Sequence, residues 1–132
     1  MPTIVRRSIP TIIDARREIF HAVSWQVRSN GWSPPTDVYE TEASFVVRVE
    51  VAGMKDDDIE VAIENNMLMI SGNRPDLNER RAYHQMEIRF GKFEIAVEIH
   101  VPVEIEKSVA EYKDGFLVIQ LPKASPKHIE VK

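Results

Sequence analysis

Apolar and polar positions alternate with a period of two through most of the chain, and each such run predicts a half-buried β-strand. Phe45, Val47, Val49 and Val51 alternate with Val46, Arg48 and Glu50. Ile59, Val61 and Ile63 alternate with Glu60, Ala62 and Glu64, and Asn65-Asn66 offers a two-residue turn. The return strand places Leu68 and Ile70 inward and Met67 and Met69 outward, as adaptable contact surface unless a neighbouring element covers them. Phe93, Ile95, Val97, Ile99 and Val101 make the longest inward run. A hairpin over Val109–Pro122 closes the pattern. Asp114-Gly115 supplies the positive φ angles of a type I′ turn, Leu117, Ile119 and Leu121 face one way, and Ala110 and Tyr112 alternate with Val109, Glu111 and Lys113. Asp37–Glu40 adds a short edge strand. Strands of this kind must bury their apolar faces against a second layer, so the pattern predicts an all-β, immunoglobulin-like antiparallel β-sandwich.

Four stretches break the alternation. From about Ile12 to Arg28 the period is helical: Ile12, Ile13, Ile19, Phe20, Val23 and Val27 form a stripe, with Trp25 to one side. Thr11 and Asp14 resemble a capping box, and Asn30-Gly31 is a stop signal. A sandwich closes its core without such a helix, so the arm suits self-association or partner contact as well as packing on its own domain. Trp32-Ser33-Pro34-Pro35 reads as a linker. Asn73 to Gln85 is a long polar loop with one weak apolar cluster at Ala82-Tyr83, a length that is usually functional. After Pro122 the chain is too poor in apolar residues to fold until Ile129-Glu130-Val131, two β-branched residues in i, i+2 register that suit addition to a sheet edge.

Composition narrows the chemistry. Of the 132 residues, 43% are apolar, enough for one core, and 29% are charged. There is no cysteine, which excludes disulfides and thiolate catalysis. The start of the chain lacks a signal-peptide core, and no run has the length of a membrane span, so the sequence predicts a cytoplasmic protein. The net charge of −4 conceals a basic arm: residues 1–31 carry five arginines against Asp14 and Glu18. Such an arm suits nucleic acid, an anionic membrane or an acidic neighbouring subunit; five charges are few, and docking on a subunit is the favoured reading. Asp56-Asp57-Asp58 lacks the spacing of a calcium loop, and His84 with Glu87 has no third ligand. No nucleophile, base and orienter share a motif, so no catalytic residue, metal or cofactor is assigned.

These residues, in this order, resemble the small heat-shock proteins, the Hsp20 or α-crystallin-domain family, over roughly Trp32 to Val131. The most specific element is Ala110-x-x-x-Asp114-Gly115-x-Leu117, continued by Ile119 and Leu121-Pro122-Lys123. Val51-Ala52-Gly53-Met54-x-x-x-Asp58-Ile59-x-Val61, Leu68-x-Ile70-x-Gly72-x-Arg74, Gly91-x-Phe93 and the tail Ile129-Glu130-Val131 support it. The resemblance implies an amino-terminal arm over 1–31, an α-crystallin-type sandwich over 32–123 and a flexible tail over 124–132. It implies ATP-independent holding of unfolding proteins without catalysis, with client proteins and other copies of the chain as partners. A strand in the long loop, among Arg80, Arg81, Ala82, Tyr83, His84, Gln85 and Met86, would swap into a partner subunit. Ile129 and Val131 would dock between two edges lined by Ile59, Val61, Ile63, Ala110 and Tyr112. The arm residues Ile12, Ile13, Ile19, Phe20, Val23 and Trp25 would contact clients or other subunits. Ile88 and Ile95 stand where the family usually has arginine, and Ile99-His100 replaces its Leu-Pro strand end. The alternative is a monomeric p23-like co-chaperone or scaffold of the same sandwich type.

Overall fold

The computed structural model describes residues 2–3, 31–125 and 130–131. The helix expected over 12–28 lies outside the described residues, as does Ile129.

Among the described residues eight strands form two antiparallel sheets: β1 (Pro2–Thr3), β2 (Thr36–Glu40), β3 (Ser44–Glu50), β4 (Ile59–Glu64), β5 (Met67–Arg74), β6 (Gly91–Glu98), β7 (Val109–Lys113) and β8 (Phe116–Pro122). One sheet runs β1-β7-β8-β3-β2 and the other β4-β5-β6. Single 3-10 turns at Asp56–Asp58 and Ile105–Lys107 carry the chain between the sheets. The all-β sandwich is therefore the one that the alternation predicts.

The inward positions form one core. Val47, Val49, Val51, Ile63, Leu68, Ile70, Leu117, Ile119 and Leu121 are all fully buried in one cluster with Phe93, Ile95, Val97 and Ile99. The closing hairpin has the expected turn, with φ of 53° at Asp114 and 84° at Gly115. Its residue pairs, Tyr112 with Leu117 and Ala110 with Ile119, put both arms' inward residues on the same face. At Gly72 two elements meet closely: a Cβ there would fall 2.6 Å from Phe93 Cζ and 2.8 Å from the Asp58 carbonyl oxygen.

Two expectations change, and one open alternative is decided. Trp32 does not sit in a linker: it bridges to Phe93, meets that ring edge-on at 5.4 Å, and donates its indole N–H to the Gly91 carbonyl at 3.1 Å. A large apolar ring so near the core gains more by packing than by marking a boundary. Met69, for which contact surface and cover by a neighbouring element were both open, is covered: it is buried in a small cluster with Ala62, Met67 and Ala96, and the two alanines flank it in register. The long loop, expected over Asn73 to Gln85, begins after Arg74 and ends before Gly91, so residues 86–90 belong to it and the next strand starts two residues before Phe93.

Candidate functional site at the sheet edges

β7 is held by its turn to β8 and by Tyr112 to the loop after β3. The Tyr112 hydroxyl donates to the Val51 carbonyl at 2.7 Å and accepts the Met54 N–H at 3.2 Å. Ala110 is fully buried, and Ile59, Val61 and Ile63 line β4, the first strand of the facing sheet. The structure brings these five sequence-predicted residues into one cluster, Tyr112 packing against it from the side. Val131 is not among them, at 97% exposed. The outer edge of β7 instead carries β1, with Pro2 opposite Glu111 and Thr3 opposite Ala110.

The far edge of the same sheet is β2. Val38 stands opposite the buried Val47 and so belongs to the inward register, yet it is 46% exposed. The facing sheet stops short of it. Tyr39 is also exposed, and Asp37 pairs with Arg48 at 3.3 Å. Among the described residues no strand pairs with the outer edge of β2.

The loop over 75–90 leaves the sandwich from a fixed base. Arg74 Nε donates to the Arg89 carbonyl at 2.8 Å, its Nη2 bonds the same oxygen, and its Nη1 reaches the Ala52 carbonyl at 3.4 Å. Its guanidinium lies 4.4 Å from the Trp32 ring centroid and 5.2 Å from that of Phe90. Further out, Arg81 ties the loop into a knot. It makes two bonds to Asp76 at 3.0 and 3.1 Å, one to Glu79 at 2.8 Å, one to the Tyr83 hydroxyl at 2.7 Å and one to the Leu77 carbonyl at 3.3 Å. The hydrogen bond from Arg81 holds the Asp76 carboxyl below its ordinary range, and the same bond raises Arg81 further. Arg80 to Met86 are all exposed, and Gln85 pairs with Glu87. No strand forms within this loop in the single chain.

The apolar content of the loop is larger than its sequence pattern conveys. Leu77 is 72% exposed, Ile88 66% and Met86 63%, with Tyr83 and Phe90 also open. Sequence reasoning missed Leu77, Ile88, Phe90 and Val38: Leu77 and Val38 sit in no alternating run, whereas Met86, Ile88 and Phe90 alternate with Glu87 and Arg89, a signal that would have found two of the four. Beside the loop's base an open cleft of about 600 Å³ is lined by Trp32, Ile88 and Phe116 together with Arg74, Glu87 and Asp114. Among the described residues no three His, Asp or Glu side chains gather to hold a metal, and no helix is long and apolar enough to cross a membrane.

A filled core with one bare sheet edge, one lightly capped edge and one exposed loop defines an all-β antiparallel sandwich. The chain belongs to the Hsp20/alpha crystallin family, whose profile matches residues 37–132. It is 34% identical over 93 residues to small heat shock protein C4 of Rickettsia felis, covering 69% of this chain and 57% of that one. It is 38% identical over 96 residues to a 17.7 kDa class II heat shock protein of Arabidopsis thaliana, covering 70% and 62%. The chain thus spans about three fifths of the length of these relatives. Among solved structures, heat shock protein 16.0 of Schizosaccharomyces pombe is 28% identical with a TM-score of 0.63, covering 76% of this chain and 99% of that one. A small heat-shock protein of Xylella fastidiosa, whose structure is described as showing a distinct high order structure, is 26% identical with a TM-score of 0.64, covering 76% and 97%.

Proposed function

We propose that the chain is an ATP-independent, non-enzymatic holdase chaperone of the cytoplasm, working as an exchanging oligomer of strand-swapped dimers. The observation that carries this reading is the pairing of two unmet needs. The loop over 75–90 exposes Leu77, Tyr83, Met86 and Ile88, and β2 presents an unpaired edge with the inward-register Val38 uncovered. A loop strand from Ala82 to Met86 laid on the partner's β2 meets both needs, and a two-fold pair of such exchanges closes the dimer.

Higher assembly comes from the tail. Ile129 and Val131 of one copy dock between β4 and β7 of another, and the two side chains contribute at most roughly 3–6 kcal/mol before the tail's ordering is counted. One contact is weak; many in one oligomer give avidity while each still opens alone. The arm over 1–31, with Ile12, Ile13, Ile19, Phe20, Val23 and Trp25, adds assembly or client contact. Surfaces exposed by exchange cover apolar patches on unfolding clients and slow their aggregation. No nucleic-acid or membrane partner is required.

Heating a labile test protein with and without this chain, lacking ATP, measures the activity directly. Light scattering should fall at a few-fold excess of the chain, and unchanged aggregation would refute the holdase role. The double variant Ile129→Ala/Val131→Ala should form a smaller particle by light scattering; an unchanged size rules out the tail. A monomeric wild-type mass on size exclusion would favour a scaffold acting on one partner.

A further inference from the structure

The edge that the tail needs is occupied in the single chain. β7 has two sides; β8 takes one and Pro2–Thr3 of the same chain takes the other. A strand edge has one row of free N–H and C=O groups and accepts one ladder partner at a time. In the same structure Val131 stands 97% exposed. We propose that the first residues of the chain are an internal competitor for the tail: β1 caps β7 in each subunit, and the tail of another copy docks only after β1 is displaced. This rests on the tail-docking reading above and specifies how that site is regulated.

The cap is built to be displaced. It covers two residue pairs, and Pro2 brings no backbone N–H, so its ladder is about as short as a ladder can be. Being tethered, β1 still returns to β7 at an effective concentration on the order of millimolar, far above that of free tails in dilute solution. The apparent tail affinity is then its intrinsic affinity multiplied by the fraction of uncapped edges. Conditions that loosen β1 would promote assembly without any change in the groove residues Ile59, Val61, Ile63, Ala110 and Tyr112.

The chain has no cysteine, so the contact can be locked cleanly. Pro2 and Glu111 face each other in register, a spacing that a disulfide spans. The full-length Pro2→Cys/Glu111→Cys variant is oxidised, and binding of a labelled synthetic peptide of residues 124–132 is followed by fluorescence anisotropy. The oxidised form should bind the peptide at least tenfold more weakly than the reduced form and give a smaller particle, and reduction should restore both. Equal peptide binding by the two forms overturns the competition. A disulfide that forms only between chains overturns it as well, because the pairing would not be internal. If neither form binds the peptide and the Ile129→Ala/Val131→Ala particle keeps its size, the tail reading itself fails and the competition goes with it.

Discussion

Gly72 tests whether the base of the loop is as tightly packed as the geometry requires. In Gly72→Ala the new methyl carbon would lie 2.6 and 2.9 Å from Cζ and Cε1 of Phe93 and 2.8 Å from the Asp58 carbonyl oxygen. Comfortable carbon contacts are about 3.5–4.0 Å, so the two contacts with the ring must lengthen by roughly 0.6–0.9 Å at the least. Phe93 has nowhere to withdraw: it is 2% exposed, and Trp32 closes its edge at 5.4 Å. Trp32 is itself held between the Gly91 carbonyl and the Arg74 guanidinium. Overpacking of this kind costs about 1–3 kcal/mol, and with a backbone oxygen among the clashing atoms the upper half of that range is expected. For a sandwich of this size the melting point should fall by roughly 10 °C. Urea titration at one fixed protein concentration, read by tryptophan fluorescence, gives the free energy. Gly91→Ala is the control: no atom lies within 4 Å of its Cβ, but φ is +99°, so its cost of about 1–2 kcal/mol is conformational alone. A Gly72→Ala protein within about 0.5 kcal/mol of the natural chain would show that Phe93 is not fixed by the Trp32–Arg74 stack.

Two further outcomes are expected. Tyr112→Phe deletes the hydroxyl that joins Val51 and Met54, and should cost about 1 kcal/mol while speeding amide exchange at Met54; unchanged protection there would remove Tyr112 from the account of how β7 is held. In the loop, Arg81→Ala should release the Tyr83 ring without altering the sandwich's urea midpoint, because the knot is exposed. Since Asp76 titrates below its ordinary value of 3.8, the knot's stabilisation is complete above that pH and is lost as the pH falls through the lowered value. The Arg81 and Tyr83 resonances should therefore hold steady from neutral pH to about 4 and shift only below it; a transition at pH 5–6 would contradict the Asp76 contact.

The strands were legible because a sandwich strand encodes its own register. Phe45 through Val51, Ile59 through Ile63 and Leu117 through Leu121 each state which face enters the core, and the second layer only ratifies it, although Val46 on the outer face of its strand is buried too. Asp114-Gly115 was equally plain, since two adjacent positive φ angles are a local requirement. Trp32 and Arg74 were not legible as a pair. They are 42 residues apart in sequence, and nothing near either one specifies that a guanidinium will lie on an indole at the root of the loop. Met69 stayed undecided for the same reason: outward register does not mean exposure when alanines flank it on both neighbouring strands.

By itself, the sequence determined the class of fold, the face of each strand that enters the core, the closing turn and the family to which the chain belongs. Each of these follows from patterns no longer than a strand or hairpin. Only the tertiary structure decided which edges are taken and which are bare: β2 open with Val38 uncovered, and β7 covered by Pro2–Thr3. Edge occupancy depends on which distant segment is held near a row of backbone groups at the higher effective concentration, and backbone groups are the same in every residue but proline. A side-chain pattern can therefore announce a strand, but it does not name the strand's neighbour.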